Sequence, residues 1–238
     1  MLKERGIIIH PQECGDYFAS RLEETHLNVL GVHPEGGTAA HASMENCIKM
    51  LETDEWRHFR RRMDKAGIAV EFEMHALSWI LNRSLFDKHK EWFRMNEDGV
   101  RVPEFNCCAS NPDVLDYICE RSAELARIFH PDTDKYYFWI DDVASASCQC
   151  EKCRALSQSD QALTLYNAIA DGLSSVNSRA KQSYLAYYAT LPIPTNVKKR
   201  DNVFLEFAPL ARDFDVSLFD ESREKNYSQV KTLPALLD

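Results

Sequence analysis

Tyr136-Tyr137-Phe138-Trp139-Ile140 forms an uninterrupted aromatic and β-branched run that ends on Asp141-Asp142. Such a run, lacking polar alternation, reads as a strand buried on both faces, the situation of parallel sheets covered by helices. Two carboxylates at the end of that strand fall in the crevice where α/β proteins keep their chemistry. The loop that follows carries Cys148-x-Cys150-x-x-Cys153, so one short segment joins a buried strand, two acids and a thiol cluster.

The rest of the chain supplies partners for that strand. Gly6-Ile7-Ile8-Ile9-His10 is a short apolar run followed by Tyr17, Phe18, Arg21 and Leu22 at helical spacing. Residues 27–33 repeat the strand. A helix is expected after a Gly-rich loop through Trp56, Phe59, Arg60 and Met63, with Gly67 as its stop. The third strand, residues 68–75, alternates, with Val70, Phe72 and Met74 on one face and Glu71, Glu73 and His75 on the other. An excursion over residues 84–110 carries an amphipathic segment with Leu85, Phe86, His89, Trp92 and Phe93. Asn111-Pro112 then reads as an N-cap with proline at the first helical position. Leu163, Tyr166, Ile169, Ala170 and Leu173 mark a further helix, and residues 183–190 and 202–210 supply strands five and six.

Strands alternating with helices leave a choice between an open doubly wound sheet and a closed (β/α)8 barrel. His10, His33, His75, Asp141, Asp142 and Glu206 fall at or near the C-terminal ends of different strands, which is how barrel enzymes assemble a site. Neither G-x-G-x-x-G nor G-x-x-x-x-G-K-[ST] is present to cradle phosphates. The expected fold is therefore α/β of the (β/α)8 TIM-barrel type. Only six βα units are readable, so a full barrel would need strands beyond residue 238. No linker or low-complexity tract divides residues 1–238, which read as one domain.

The net charge of −9 and the lack of a dense basic run argue against nucleic acid or an anionic membrane surface as partner. Arg60-Arg61-Arg62 reads as a solvated helix face. No stretch approaches a membrane span, and Met1-Leu2-Lys3-Glu4-Arg5 leads into a strand without a signal-peptide core, so a cytoplasmic location is expected, or a secreted one if the chain is a processed fragment. Eight cysteines are many for an enzyme of this size and too sparse for a disulfide scaffold. In a reducing compartment their clustering reads as metal binding.

The order Glu73-Met-His75, Lys88-His89-Lys90-Glu91-Trp92-Phe93, Cys107-Cys108-Ala109-Ser110-Asn111-Pro112, then Trp139-Ile-Asp141-Asp142 with the cysteine triplet, resembles bacterial proteins grouped as a domain of unknown function and regarded as glycoside-hydrolase-like TIM barrels. These are distant relatives of the α-glucuronidase and β-hexosaminidase barrels. The resemblance spans roughly residues 6–210 and is most specific at Asp142 and the cysteines that follow. It implies a carbohydrate-active barrel without naming a sugar. The family's barrel continues past residue 238, and hexosaminidases carry Asp-Glu where this chain has Asp141-Asp142.

Glycoside cleavage needs a carboxylic acid to protonate the leaving oxygen and a second group to stabilise or attack the oxocarbenium-like centre. Asp142 is the candidate acid, its proton held by the apolar strand before it and by the charge of Asp141. The second group is Asp141, orienting an N-acetyl substituent, or, in a two-carboxylate scheme, Glu206 or a residue outside this chain. His10, His33, Glu73, His75, Trp139 and Tyr188 are candidate substrate contacts; Glu73 also reads as a structural ion-pair partner, and the aromatics also read as core. Cys148, Cys150 and Cys153, with Cys107 or Cys108, would surround one structural zinc ion and pin the loop that positions Asp142; free thiols or a disulfide are the alternative. No organic cofactor is expected. Two rivals stand beside the hydrolase: a divalent metal held by the rim histidines for isomerisation or hydrolysis, and a carbohydrate-binding barrel without catalysis.

Overall fold

The structure, a computed structural model, describes residues 3–237. Six strands, β1 (Gly6–Ile9), β2 (Val29–Val32), β3 (Ala69–Met74), β4 (Lys135–Phe138), β5 (Lys181–Ala186) and β6 (Val203–Phe207), form one parallel sheet in the order of the chain. An open doubly wound sheet reverses direction at its middle, whereas this order steps one strand sideways at every crossover. The sheet curls accordingly. Side chains from β1, β2, β3, β4 and β6 line a common hollow, and Tyr137 of β4 meets Phe204 of β6 edge to face at 5.6 Å. The architecture is thus a six-stranded half barrel rather than the closed eight-unit barrel expected from the strand ends. Among the described residues β1 and β6 each have one strand neighbour.

Helices α1 (Asp16–Glu23), α2 (Ala40–Met50), α3 (Asp54–Ala66), α4 (Leu77–Ile80), α5 (Pro112–Ala126), α6 (Gln158–Val176), α7 (Glu224–Val230) and α8 (Leu233–Leu237) complete the chain. Local chemistry sets their ends. Thr53 accepts from the Trp56 amide at the start of α3, and Gly67 closes that helix at φ 70°, where a side chain is disfavoured. Asn111 accepts from the Asp113 and Val114 amides ahead of Pro112, and Ser157 with Asp160 forms a capping box on α6. Helix α2 escaped the periodicity because small residues such as Ala40 and Ala42 blur its apolar face. Among the described residues no helix is long and apolar enough to cross a membrane.

The main core lies between the sheet and the helices, with Leu30, Val32, Val70, Phe72, Met74 and Phe138 facing Phe59, Met63, Leu125 and Phe129. Helices α5 and α6 cross so closely that a Cβ on Gly172 would fall onto the Cys119 carbonyl, a backbone group with no room to yield. Gly172→Ala is expected to lower stability by about 2–3 kcal/mol, roughly 5–10 °C in Tm, by pushing the two helices apart; a thermal melt measures it.

Two expectations shift in extent. Strand β4 stops at Phe138 because the next residues turn to serve other partners: the Trp139 carbonyl accepts from Leu77, and the Asp141 side chain is drawn inward. Strand β5 stops at Ala186, since Tyr188 sits at φ 44° and opens a tight turn. Residues 84–110, the amphipathic excursion, form short turns and one isolated bridge, Met95 with Arg101.

Candidate functional site

The concave face of the sheet is acidic. Glu71 and Glu73 of β3 and Glu206 of β6 point into the hollow beside Tyr137, and Gly31 on β2 leaves the space that the Glu73 carboxyl fills. Glu71 accepts from the Thr133 hydroxyl. Glu206 accepts from the Trp139 indole Nε1 at 2.8 Å, and that same N–H lies 3.1 Å from the Ser183 hydroxyl. Glu73 is buried without a hydrogen bond or ion pair from any described residue, so it is not the structural ion-pair partner it could have been. Burial, then the charges of Glu206 and Glu71, push its pKa up to about 8, while burial pushes Glu206 up to about 7 against the pull of Trp139 and Ser183.

These two carboxyls hold protons in the folded chain that an unfolded chain, with carboxyls near pH 4.5, has already released. Stability therefore falls as pH rises through the window from about 5 to about 8. Glu73→Gln is expected to flatten that slope and to raise Tm at the alkaline end, as melts at about pH 5.5 and about pH 8.5 would measure.

Above the acids, at the C-terminal rim, each of the first three strands ends in a histidine tied to the next strand. His10 Nδ1 lies 2.9 Å from the His33 carbonyl, His33 Nδ1 2.7 Å from the Glu73 carbonyl, and His75 Nδ1 2.8 Å from the Ile140 carbonyl. The ring centres of His10 and His33 are 5.9 Å apart, and those of His33 and His75 5.8 Å. Burial, with His75 and His10 as neighbours, holds the His33 pKa below the ordinary imidazole value despite its hydrogen bond to the Glu73 carbonyl. Trp139 packs against His75 and His33 at 5.1 and 5.6 Å and so forms the floor between rim and acids.

Asp142 reaches the same rim from the loop after β4. Its carboxyl oxygen lies 3.1 Å, and His75 Cδ2 2.7 Å, from the position a Cβ on Gly36 would take, so glycine in the loop after β2 is what allows the three to meet. Its charge also bears on Tyr187, whose pKa burial and then Asp142 raise to about 12. Tyr188 stands beside Tyr187, ring centres 4.3 Å apart, exposed and held at a left-handed backbone angle that a bulky side chain rarely adopts.

Asp141 goes elsewhere. Its side chain is turned inward, paired with the Arg83 guanidinium and accepting from the Asn106 amide, while the Asn106 side chain accepts from the Asp141 amide at 3.1 Å. Asp141 thus clamps the 84–110 excursion to the loop after β4, and the neighbouring charge invoked to hold a proton on Asp142 is already compensated by Arg83. Nothing in the spacing of Arg83 or Asn106 announces this clamp; it joins positions far apart in the chain. Arg83→Met is expected to cost about 3–5 kcal/mol by leaving a buried carboxylate unpaired, a loss that a urea titration would register.

The same two segments meet again at sulfur. Cys108, Cys148, Cys150 and Cys153 place their Sγ atoms within 4.8 Å of one another, the one such gathering of three or more His, Cys, Asp or Glu ligand atoms among the described residues. Cys108 Sγ is 3.7 Å from Cys150 Sγ and 3.9 Å from Cys153 Sγ. Cys148 Sγ accepts from the Met95 amide at 3.3 Å and from Arg101 at 3.6 Å, and the Ser110 hydroxyl lies 3.2–3.5 Å from three of the sulfurs. Hydrogen bonds from Cys148 and Cys153 hold the Cys108 thiol below its ordinary pKa. These four side chains are close enough to hold a metal ion. Of the two candidates for the fourth position Cys108 takes it, whereas Cys107 is buried among other neighbours and its thiol is raised by that burial. Adjacent residues in extended chain point to opposite sides, so only one of the two can face the triplet. The nitrogens of His10, His33 and His75 do not converge in this way.

No curated protein matches the chain. Among solved structures, the α-galactosidase TtGalA from Thermus thermophilus, in complex with p-nitrophenyl α-D-galactopyranoside, is similar at 14% identity and a TM-score of 0.40. The alignment covers 76% of this chain and 37% of the galactosidase, so the chain spans little more than a third of that protein's length. A family model matches residues 41–232, which take in strands β3 to β6, the inward clamp of Asp141, the rim carboxylate Asp142 and all four gathered cysteines; on that match the chain belongs to the family described as Domain of unknown function (DUF4838).

Proposed function

We propose that this chain is a carbohydrate-active half barrel that hydrolyses glycosidic bonds, with Asp142 as general acid. The observation that supports it most is the convergence at the rim: an exposed carboxylate at the end of β4, free of any ion pair among the described residues, beside His75 and Tyr187 and above the Trp139–Glu206 pair. In this reading Asp142 donates its proton to the leaving oxygen. Glu206, anchored by Trp139, is the second carboxyl, and a substrate-assisted role for Asp141 is disfavoured by its commitment to Arg83. His10, His33 and His75 contact sugar hydroxyls, Trp139 is the floor, and Tyr188 offers an exposed ring to the apolar face of a neighbouring sugar.

In the same reading the four cysteines bind structural zinc. Tetrahedral Zn–S bonds of about 2.3 Å require sulfurs about 3.8 Å apart; Cys108 Sγ lies 3.7 and 3.9 Å from those of Cys150 and Cys153, and all four fall within 4.8 Å of one another. The N–H groups of Met95 and Arg101 aimed at Cys148 are the outer contacts that metal-bound thiolates accept. A closed shell of four thiolates leaves no position for water, so zinc would pin loops and take no part in bond cleavage.

The test is turnover of glycosides by the wild-type chain beside Asp142→Asn. Hydrolysis that is lost in the variant is expected. Sugar binding with no turnover by the wild type would make this a binding barrel and overturn the hydrolase.

A further inference from the structure

We infer that the mouth of the half barrel takes a neutral, hydroxyl-rich sugar and discriminates against its uronic acid counterpart, with the imidazole Nε2 atoms of His10, His33 and His75 accepting hydrogen bonds from sugar hydroxyls. This rests on the carbohydrate reading and deepens it to a substrate class.

The argument begins with the carbonyl ties. A carbonyl oxygen only accepts, so each of the three Nδ1 atoms must carry a hydrogen to sit 2.7–2.9 Å from its carbonyl. The three rings are thereby oriented by the backbone of the neighbouring strand, and each is left with Nε2 as its outward atom. None of these Nε2 atoms has a hydrogen-bond partner among the described residues. His75 is more than nine-tenths buried, yet its Nε2 is not sealed from solvent, so a ligand can reach it. At His33, burial and the two flanking imidazoles favour the neutral ring, whose Nε2 is then a lone-pair acceptor.

The surroundings are carboxyl groups rather than cations. The Asp142 carboxylate lies on the His75 side of the rim, and Glu206 and Glu73 lie below Trp139. Arg83, the cation on the adjoining loop, is already taken by Asp141 and by the Asn106 carbonyl. A ring of acceptor lone pairs is complementary to ligand O–H donors and offers a ligand carboxylate, itself only an acceptor, no donor to pair with. A metal ion would also seek lone pairs, but the three histidines do not bring their nitrogens within 4.8 Å of one another.

The experiment uses the full chain labelled with ¹⁵N. Long-range ¹H–¹⁵N spectra are expected to show His33 neutral with its hydrogen on Nδ1. The chain is then titrated with the methyl glycosides of galactose, glucose and mannose and with those of galacturonate and glucuronate. At least one neutral glycoside should shift the His33 Nε2 resonance and bind at least tenfold more tightly than the uronate of the same configuration, and His33→Phe should lose that binding. A uronate that binds as well as or better than its neutral counterpart overturns the inference while leaving the carbohydrate reading standing. No shift with any sugar of either class removes the carbohydrate reading itself. A hydrogen found on His33 Nε2 in the free wild-type protein overturns the acceptor geometry even if the variant fails to fold, and Nε2 shifts that follow a second equivalent of Zn²⁺ instead of sugar make the rim a metal site.

Discussion

With zinc on the four gathered cysteines, as proposed, Cys108→Ser is expected to strip the ion and to lower the melting temperature by about 10 °C or more, from a loss of about 4 kcal/mol. Cys108 is the cysteine that the 84–110 excursion contributes; the other three belong to the loop after β4. Removing it cuts the tie between the two segments. It also leaves three crowded sulfurs around an ion that a serine hydroxyl binds poorly, and free energy of metal binding that is realised only in the folded chain is lost from stability. Elemental analysis under reducing conditions, wild type beside Cys108→Ser and Cys107→Ser, reads the result. Near-stoichiometric zinc in the wild type and in Cys107→Ser, with none in Cys108→Ser, is the expected pattern. Zinc retained by Cys108→Ser would move the ion away from the cysteines. Because the Asp141–Arg83 clamp joins the same segments independently, the variant should loosen the Asp142 loop without unfolding the sheet.

The second large effect concerns Asp142. If it protonates the departing oxygen, Asp142→Asn should lower kcat by about 10²–10⁴-fold on substrates with a poor leaving group, while Tm stays within about 1–2 °C of wild type, because the side chain is exposed and bears no ion pair among the described residues. A general acid leaves a further signature. Aryl glycosides with an acidic leaving group need little protonation and should lose far less than alkyl glycosides. The alkaline limb of the wild-type pH profile should also disappear in the variant, since the titrating acid is gone. An equal loss on both substrate types would assign Asp142 to binding and leave acid catalysis to Glu206, whose carboxyl stays protonated to about pH 7.

Much of the frame was legible because it depends on periodicity. The unbroken apolar run at residues 136–140 marked a strand, although only its helix-facing side is fully buried and Tyr137 lines the open hollow; the alternation of residues 68–75 put Glu71 and Glu73 on the face opposite Val70, Phe72 and Met74, and Gly67 and Asn111-Pro112 marked helix ends. The histidines at the ends of the first three strands, and the carboxylate after the fourth, announced that one rim would carry polar groups. These features are local, set by side-chain spacing and by the dihedral preferences of single residues.

What spacing left open was every choice between neighbours. Asp141 and Asp142 are chemically alike, as are Cys107 and Cys108, and only the packed chain shows that Asp141 turns in to Arg83 while Asp142 stays at the rim, and that Cys108 rather than Cys107 faces the triplet. The same holds for strand length. Trp139 and Ile140 read as strand, yet the Leu77 amide on the Trp139 carbonyl and the inward turn of Asp141 toward Asn106 take the chain out of the ladder after Phe138. The sequence by itself determined the parallel α/β sheet, its six strands and the rim on which the titratable groups gather. Tertiary structure alone decided which of two adjacent acids stays exposed at the rim, which of two adjacent thiols joins the cluster, and which nitrogen of each rim histidine is left outward, because each of those outcomes is set by contacts to residues far along the chain.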